Sequence, residues 1–287
     1  MPITINSNVT SLRAQRTLAL SSRKLTHTFE KLSSGLRITR AMDDAAGMCI
    51  ADRLKADSTI AKVAIRNAND GLSMLDIADK ALGQVNNILV RMAELAEQSA
   101  NGVYSTTQRS GLDQEFQALG SEIQRITEFT VFNDLKLLST ADNYDLQVGY
   151  SGSDPWAKVE IAPPQATLKQ FGLAVGHPQQ LSFSINAGAN DMAQIAARSA
   201  LDVVKAAIDS VSLARGAIGA GQSRLEVTIN NLMVARENMM AAESQIRDVD
   251  IAEEGAELTR LNILQQAGSS ILAQANQQPQ MALSLLG

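Results

Sequence analysis

Aromatic residues make up only 3% of this chain of 287 residues. Their scarcity disfavours a thick globular core and leaves Ala, Leu, Ile, Val and Met to bury apolar surface by close helix packing. Cysteine is nearly absent. Cys49 stands alone, which excludes an internal disulfide framework and any CxxC metal site; it reads as a small buried hydrophobe rather than a reactive thiol. Histidine is limited to His27 and His177, and neither forms an HExxH pair, so no metal site is expected. Phosphate-cradling GxxxxGK[ST] and GxGxxG loops are missing, as is a GxSxG nucleophile elbow. Long basic runs are missing too, and the net charge of −5 argues against a nucleic-acid partner. The expectation is a non-enzyme, with no catalytic residues and no cofactors. No stretch of about 18 uninterrupted apolar residues exists, so no membrane insertion is expected. The N-terminus shows no charged segment leading into an apolar one, so no cleaved signal peptide is expected either.

Proline is scarce where it matters. None occurs between Pro2 and Pro155, or between Pro178 and Pro279. Proline breaks helix interiors at a cost of about 3 kcal/mol, so both long stretches are free to be helical. Pro155, Pro163, Pro164 and Pro178 cluster in the middle, with Trp156, Tyr144, Tyr150 and the alternating runs "YDLQVGY" and "QQLSFSIN". The chain reads as helices, a short β-rich insert, then helices.

Within the second helical arm, Val204, Val211, Ile218, Leu225, Leu232, Met239 and Ile246 recur every seven residues. Ala207, Ala214, Gly221, Thr228, Ala235 and Ala242 follow the first six at three residues' distance. This is a heptad with large residues at one core position and small ones at the other, on a helical rod of roughly 65 Å. The first arm supplies the partner: Leu75, Leu82 and Leu89, each followed by Ala78, Val85 or Met92. A shorter stripe of Leu112, Phe116, Leu119, Ile123 and Ile126 follows a turn at "SANGVYSTTQ".

The outermost segments repeat the pattern. Val9, Leu12, Leu18, Leu25, Phe29 and Leu32 make one stripe, after a cap at Asn6 or Ser7. Leu258, Leu261, Leu264, Ile271 and Leu272 make the other, with Gln, Asn and Ser behind them and a kink or stop expected near Pro279. The two chain ends should therefore be neighbours. The acidic pair in "DDAAG" (Asp43–Gly47) reads as a helix start, and the acidic cluster in "RDVDIAEE" (Arg247–Glu254), which breaks the heptad after Ile246, as a hinge or helix restart, rather than as divalent-ion loops.

Several of these stretches carry a resemblance. "KLSSGLRI", "DDAAG", "IRNANDG", "ELAEQSANG" and "FNDLKLL" in the first arm, and "TINNL", "RDVDIAEE" and "ILQQAGSSILAQANQQPQ" in the second, resemble bacterial flagellin motifs in the same order. The similarity covers about 1–140 and 195–287. Cys49, Met42 and Gly287 depart from the family pattern. The resemblance implies a mainly α fold: a long antiparallel coiled-coil rod with N- and C-terminal helices paired and a small β-rich tip. It implies an N-terminal inner-tube helix and linker over 1–42, rod helices over 43–140, a variable insert over 141–190, a rod helix over 191–247 and a C-terminal inner-tube helix over 248–287. It implies a structural subunit, exported unfolded and polymerised into a filament for swimming motility, extracellular in the flagellum. The implied partners are copies of itself, an export chaperone, the type III export apparatus, the filament cap and hook-associated proteins. A hook–filament junction protein, which shares the terminal helices, is the alternative. Arg91, Leu95 and Glu115 match positions through which Toll-like receptor 5 recognises flagellins; Glu97 and Val90 depart from that pattern, and Leu95 also continues the rod stripe.

Overall fold

The structure is a computed structural model that describes residues 7–140, 142–149, 157–174, 181–186 and 190–284. Its described elements are α1 (Val9–Ser34), α2 (Ala45–Ala100), α3 (Thr106–Phe129), β1 (Val131–Phe132), β2 (Leu135–Lys136), β3 (Tyr144–Gln147), β4 (Lys158–Ile161), α4 (Asn190–Arg247) and α5 (Ile251–Ser284).

Four of the helices begin where a side chain can satisfy their free amides. Asn8, one position beyond the expected cap, accepts from Ser11 N at 3.0 Å and starts α1. Asp44 accepts from Gly47 N at 2.8 Å ahead of α2. Ser105 and Gln108 form a reciprocal capping box at α3. Asp250 accepts from Ala252 N at 2.8 Å and Glu253 N at 3.2 Å ahead of α5. "DDAAG" and "RDVDIAEE" thus each supply an aspartate to a helix start. Gly35, at φ 72, ends α1 in the left-handed region that costs glycine least.

The chain divides into two compact units. One holds the chain up to Ser58 and from Glu237 onward; the other holds Thr59–Arg236. In the first unit α1 and α5 run antiparallel. Asn8 Nδ2 donates to Ala275 O at 2.7 Å, Ser11 Oγ bonds Asn276 Oδ1 at 2.7 Å, and Leu18 fills the space beside Gly268. The first of these bonds explains why α5 does not stop at Pro279. A proline has no N–H to give the carbonyl four residues back. That carbonyl is Ala275 O, and Asn8 supplies the missing donor. The two interhelix breaks also pair: Leu36 bridges Asp248, with Arg37 N donating to Arg247 O at 2.6 Å and Val249 N to Gly35 O at 3.1 Å.

In the second unit α2 and α4 are antiparallel and in a fixed register. Leu225 lies against Gly71, Leu75 against Gly221, and Arg215 Nε donates to Asp79 Oδ1 at 2.8 Å. Leu75, Leu82, Leu89, Val204, Val211, Ile218 and Leu225 are buried in one cluster with Phe116 and Ile123 of α3. Leu137 and Leu138 join that cluster, and so does the insert through Leu168, Leu173 and Ile185, so the insert extends the helical core as well as ending it. β1 and β2 make a hairpin whose turn residues Asn133 and Asp134 take φ 50 and 63, as a two-residue primed turn requires. β3 pairs with β4, Tyr144 opposite Ile161. The expected strand in "QQLSFSIN" is not found over 181–186. Side chains of the helices satisfy its backbone instead: Asp113 accepts from Ile185 N at 2.8 Å, Gln117 donates to Phe183 O at 2.8 Å and Ser99 to Ile185 O at 2.8 Å. With those groups already bonded, no partner strand is needed. Trp156, Tyr150 and His177 lie outside the described residues.

Candidate functional site

The residues singled out in the terminal helices fall into two sets. Leu261 is 1% exposed, and Leu18, Leu25, Leu32, Leu258 and Leu272 are half-buried along α1 and α5. Leu12, Phe29, Leu264 and Ile271 are exposed, as are Leu20, Ile251 and Ile263, which the stripe did not include. Two helices can cover only one seam between them; an apolar residue a third of a turn away stays in solvent. The polar backing of α5 is exposed too, at Gln266, Gln274, Gln277 and Gln278.

Of the rod heptad, Leu75, Leu82, Leu89, Val204, Val211, Ile218, Leu225 and Leu232 are buried. Met239 and Ile246 are half-buried and belong to the other unit. Arg91 links two helices: its guanidinium contacts Glu115 at 2.9 Å and Glu94 at 3.0 Å. Both contacts hold its charge on more firmly than usual, Glu94 first. Arg91 and Glu115 are exposed, whereas Leu95 is fully buried in the core cluster. Arg109, wholly buried, donates from Nη2 to Asn101 O at 3.1 Å and ties the α2–α3 turn to α3. Nothing in its hydrophobic pattern marks it; an arginine at helix spacing reads as surface.

Cys49 is exposed, not buried. It lies in the first turns of α2, where the buried positions are taken by Ala51 and later residues. His27 Nε2 lies 3.0 Å from Asp43 Oδ1. Burial pushes the Asp43 carboxyl up, but the amides of Arg40 and Thr39, the Thr39 hydroxyl and His27 together hold it below its ordinary value. Both residues line an open cavity of about 660 Å³ with Arg23, Lys31 and Glu254. Among the described residues, no three His, Cys, Asp or Glu side chains are grouped to hold a metal ion. No described helix is long and apolar enough to cross a membrane.

Across the rod register, the Arg215 hydrogen bond holds the Asp79 carboxyl below its ordinary value, outweighing the rise from burial. A depressed carboxyl adds stability that is present above about 3.8, its unperturbed value, and lost as pH falls through the depressed one. Asp79→Asn is expected to lower stability near neutral pH by about 0.2–1 kcal/mol, the range for an exposed pair, and to flatten the acid side of the stability curve. Urea unfolding as a function of pH reads both effects. An unchanged acid slope would leave the pair without energetic weight.

Long helices paired along their length, with α1 and α5 side by side and apolar residues left facing outward, define a helical packing protein. Relatives make the class specific. Residues 5–143 match the bacterial flagellin N-terminal helical region, and residues 201–286 the bacterial flagellin C-terminal helical region. A flagellin of Halalkalibacterium halodurans is 43% identical over 283 residues, 98% of this chain and 99% of the relative. The flagellar filament 33 kDa core protein of Treponema phagedenis is 35% identical over 291 residues, with the same coverage. A flagellar hook-associated protein of Vibrio parahaemolyticus has a similar fold, at TM-score 0.57 and 14% identity, covering 72% of this chain and all of that one. The chain belongs to the bacterial flagellin family.

Proposed function

We infer that this chain is a structural subunit of the bacterial flagellar filament, extracellular once assembled and without a catalytic role. The observation that carries the reading is the terminal pair: α1 and α5 join the two chain ends yet leave Leu12, Phe29, Leu264 and Ile271 uncovered. Neighbouring copies cover them in a filament, because heterologous contacts that do not close generate helical polymers. The outward glutamines of α5 suit a hydrated channel wall. The family also implies export in an unfolded state through the type III apparatus with a chaperone, assembly under a cap, and hook-associated proteins at the base. Recognition by Toll-like receptor 5 belongs to the same reading; it would use the exposed Arg91 and Glu115, with Leu95 supporting them from within the core.

Adding short filament fragments to purified protein tests the function. Electron microscopy should show long filaments grown from the seeds. Short rings or unchanged seeds would favour a junction role instead.

A further inference from the structure

The α4 helix carries a second heptad that its own subunit does not use. Ala206, Leu213, Ala220, Val227, Val234 and Ala241 recur every seven residues, two positions after the buried stripe, and all are exposed. Leu213 is 77% exposed, Val227 60% and Val234 58%. An exposed single leucine needs no explanation, but a sustained apolar seam does. The helix is also thinned there. Gly216 and Gly219 lie mid-helix, where glycine is destabilising, and a Cβ at either would meet nothing within 4 Å. Packing inside the subunit therefore does not ask for their small size.

A matching surface lies elsewhere on the same unit. Ile60 and Val63 of α2 are 41% and 40% exposed and, with Ala64, Asn67 and Gly149, line an apolar groove of about 220 Å³. Arg66 flanks it, and Asp209 lies one turn before Leu213. Neither charge has an ion-pair partner among the described residues.

We propose that the outward seam of α4 docks in the α2 groove of a neighbouring copy of this chain, with Leu213 on Val63. The register follows from polarity. Within one subunit α2 and α4 are antiparallel, so a copy stacked alongside in the same direction presents its α2 antiparallel to the first copy's α4. With Leu213 on Val63, Asp209 then falls beside Arg66, and Gly216 beside Ile60. The opposite charges meet, and the open space at Gly216 receives the isoleucine side chain. Seam and groove are different surfaces, so the contact is heterologous and propagates rather than closing a dimer. The inference rests on the filament reading above and specifies one of its contacts.

Cysteines test it in a Cys49→Ala background. Filaments grown from Leu213→Cys/Val63→Cys protein and oxidised with diamide should yield a ladder of disulfide-linked oligomers under denaturing conditions. A displaced pair, Leu213→Cys/Ser73→Cys, should yield at least about tenfold less, since a disulfide needs Cα atoms within about 7 Å. A second arm uses charge: Asp209→Arg and Arg66→Asp should each slow seeded growth severalfold, and the double variant should restore it. Filaments without the ladder, equal cross-linking of the displaced pair, or no restoration would overturn the contact while leaving the filament reading intact. Failure of the unmodified chain to elongate seeds would overturn both.

Discussion

Leu82→Ala is expected to lower the unfolding free energy by about 2–5 kcal/mol. Leu82 is fully buried, midway along the α2 stripe, with Leu75 and Leu89 a heptad away on either side. Removing its side chain loses the transfer energy of the missing carbons and leaves a cavity that stiff neighbouring helices cannot close. A loss of that size is a large share of the roughly 5–15 kcal/mol that typically holds a domain together. Leu213→Ala deletes the same atoms from an exposed site and should change monomer stability by no more than about 0.5 kcal/mol. Urea unfolding of the two variants, compared with the parent, reads the difference directly. Equal effects would mean that the α2 stripe is not the energetic centre of its unit.

In the dilute monomer, amides of α1 and α5 should exchange with solvent at least about 100-fold faster than those of α2 between Leu75 and Leu89, and assembly should erase most of that gap. The reason is the balance of surfaces. Isolated helices are marginal in water and need a covered apolar face to persist. The α1–α5 pair buries Leu261 but leaves Leu12 61%, Phe29 65%, Ile263 60% and Ile271 56% exposed. The α2 stripe, in contrast, is closed on all sides by α3, α4 and the insert. Hydrogen exchange on monomer and filament, resolved by segment, measures the contrast. Strong protection of both terminal helices in the monomer would show that they need no neighbour.

How much of this was legible in the sequence depended on the kind of regularity involved. The α4 stripe repeats over six steps from Val204 to Ile246, and a period that long survives any local exception. The capping aspartates at Asp44 and Asp250 were legible because they stand just before good helix formers. Exposure was less so: the spacing of Leu12 and Phe29 is the same whether the partner is another helix of the chain or another copy. Cys49 was misjudged because its type is usually buried, while its position on α2 is not on the covered face. "QQLSFSIN" has the period of a strand, yet Asp113, Gln117 and Ser99 bond its backbone, a solution that no local pattern announces. The Asn133–Asp134 turn was a signal available and unused, since two adjacent residues tolerant of positive φ are a hairpin mark. The end of α5 turned on a residue from the other end of the chain.

That last feature bears on the order in which the molecule completes itself. Asn8 and Ala275 are 267 positions apart, and closing so long a loop in one step would cost roughly 5 kcal/mol of chain entropy. When the α2–α4 hairpin zips outward from the insert first, the pairing of Asp52 with Arg247 shortens the loop that remains to be closed and lowers that cost by about 1 kcal/mol. The inner helices therefore close first and the outermost pair last. Reversal should follow the same path, so a departing subunit opens at its terminal pair while its centre stays folded.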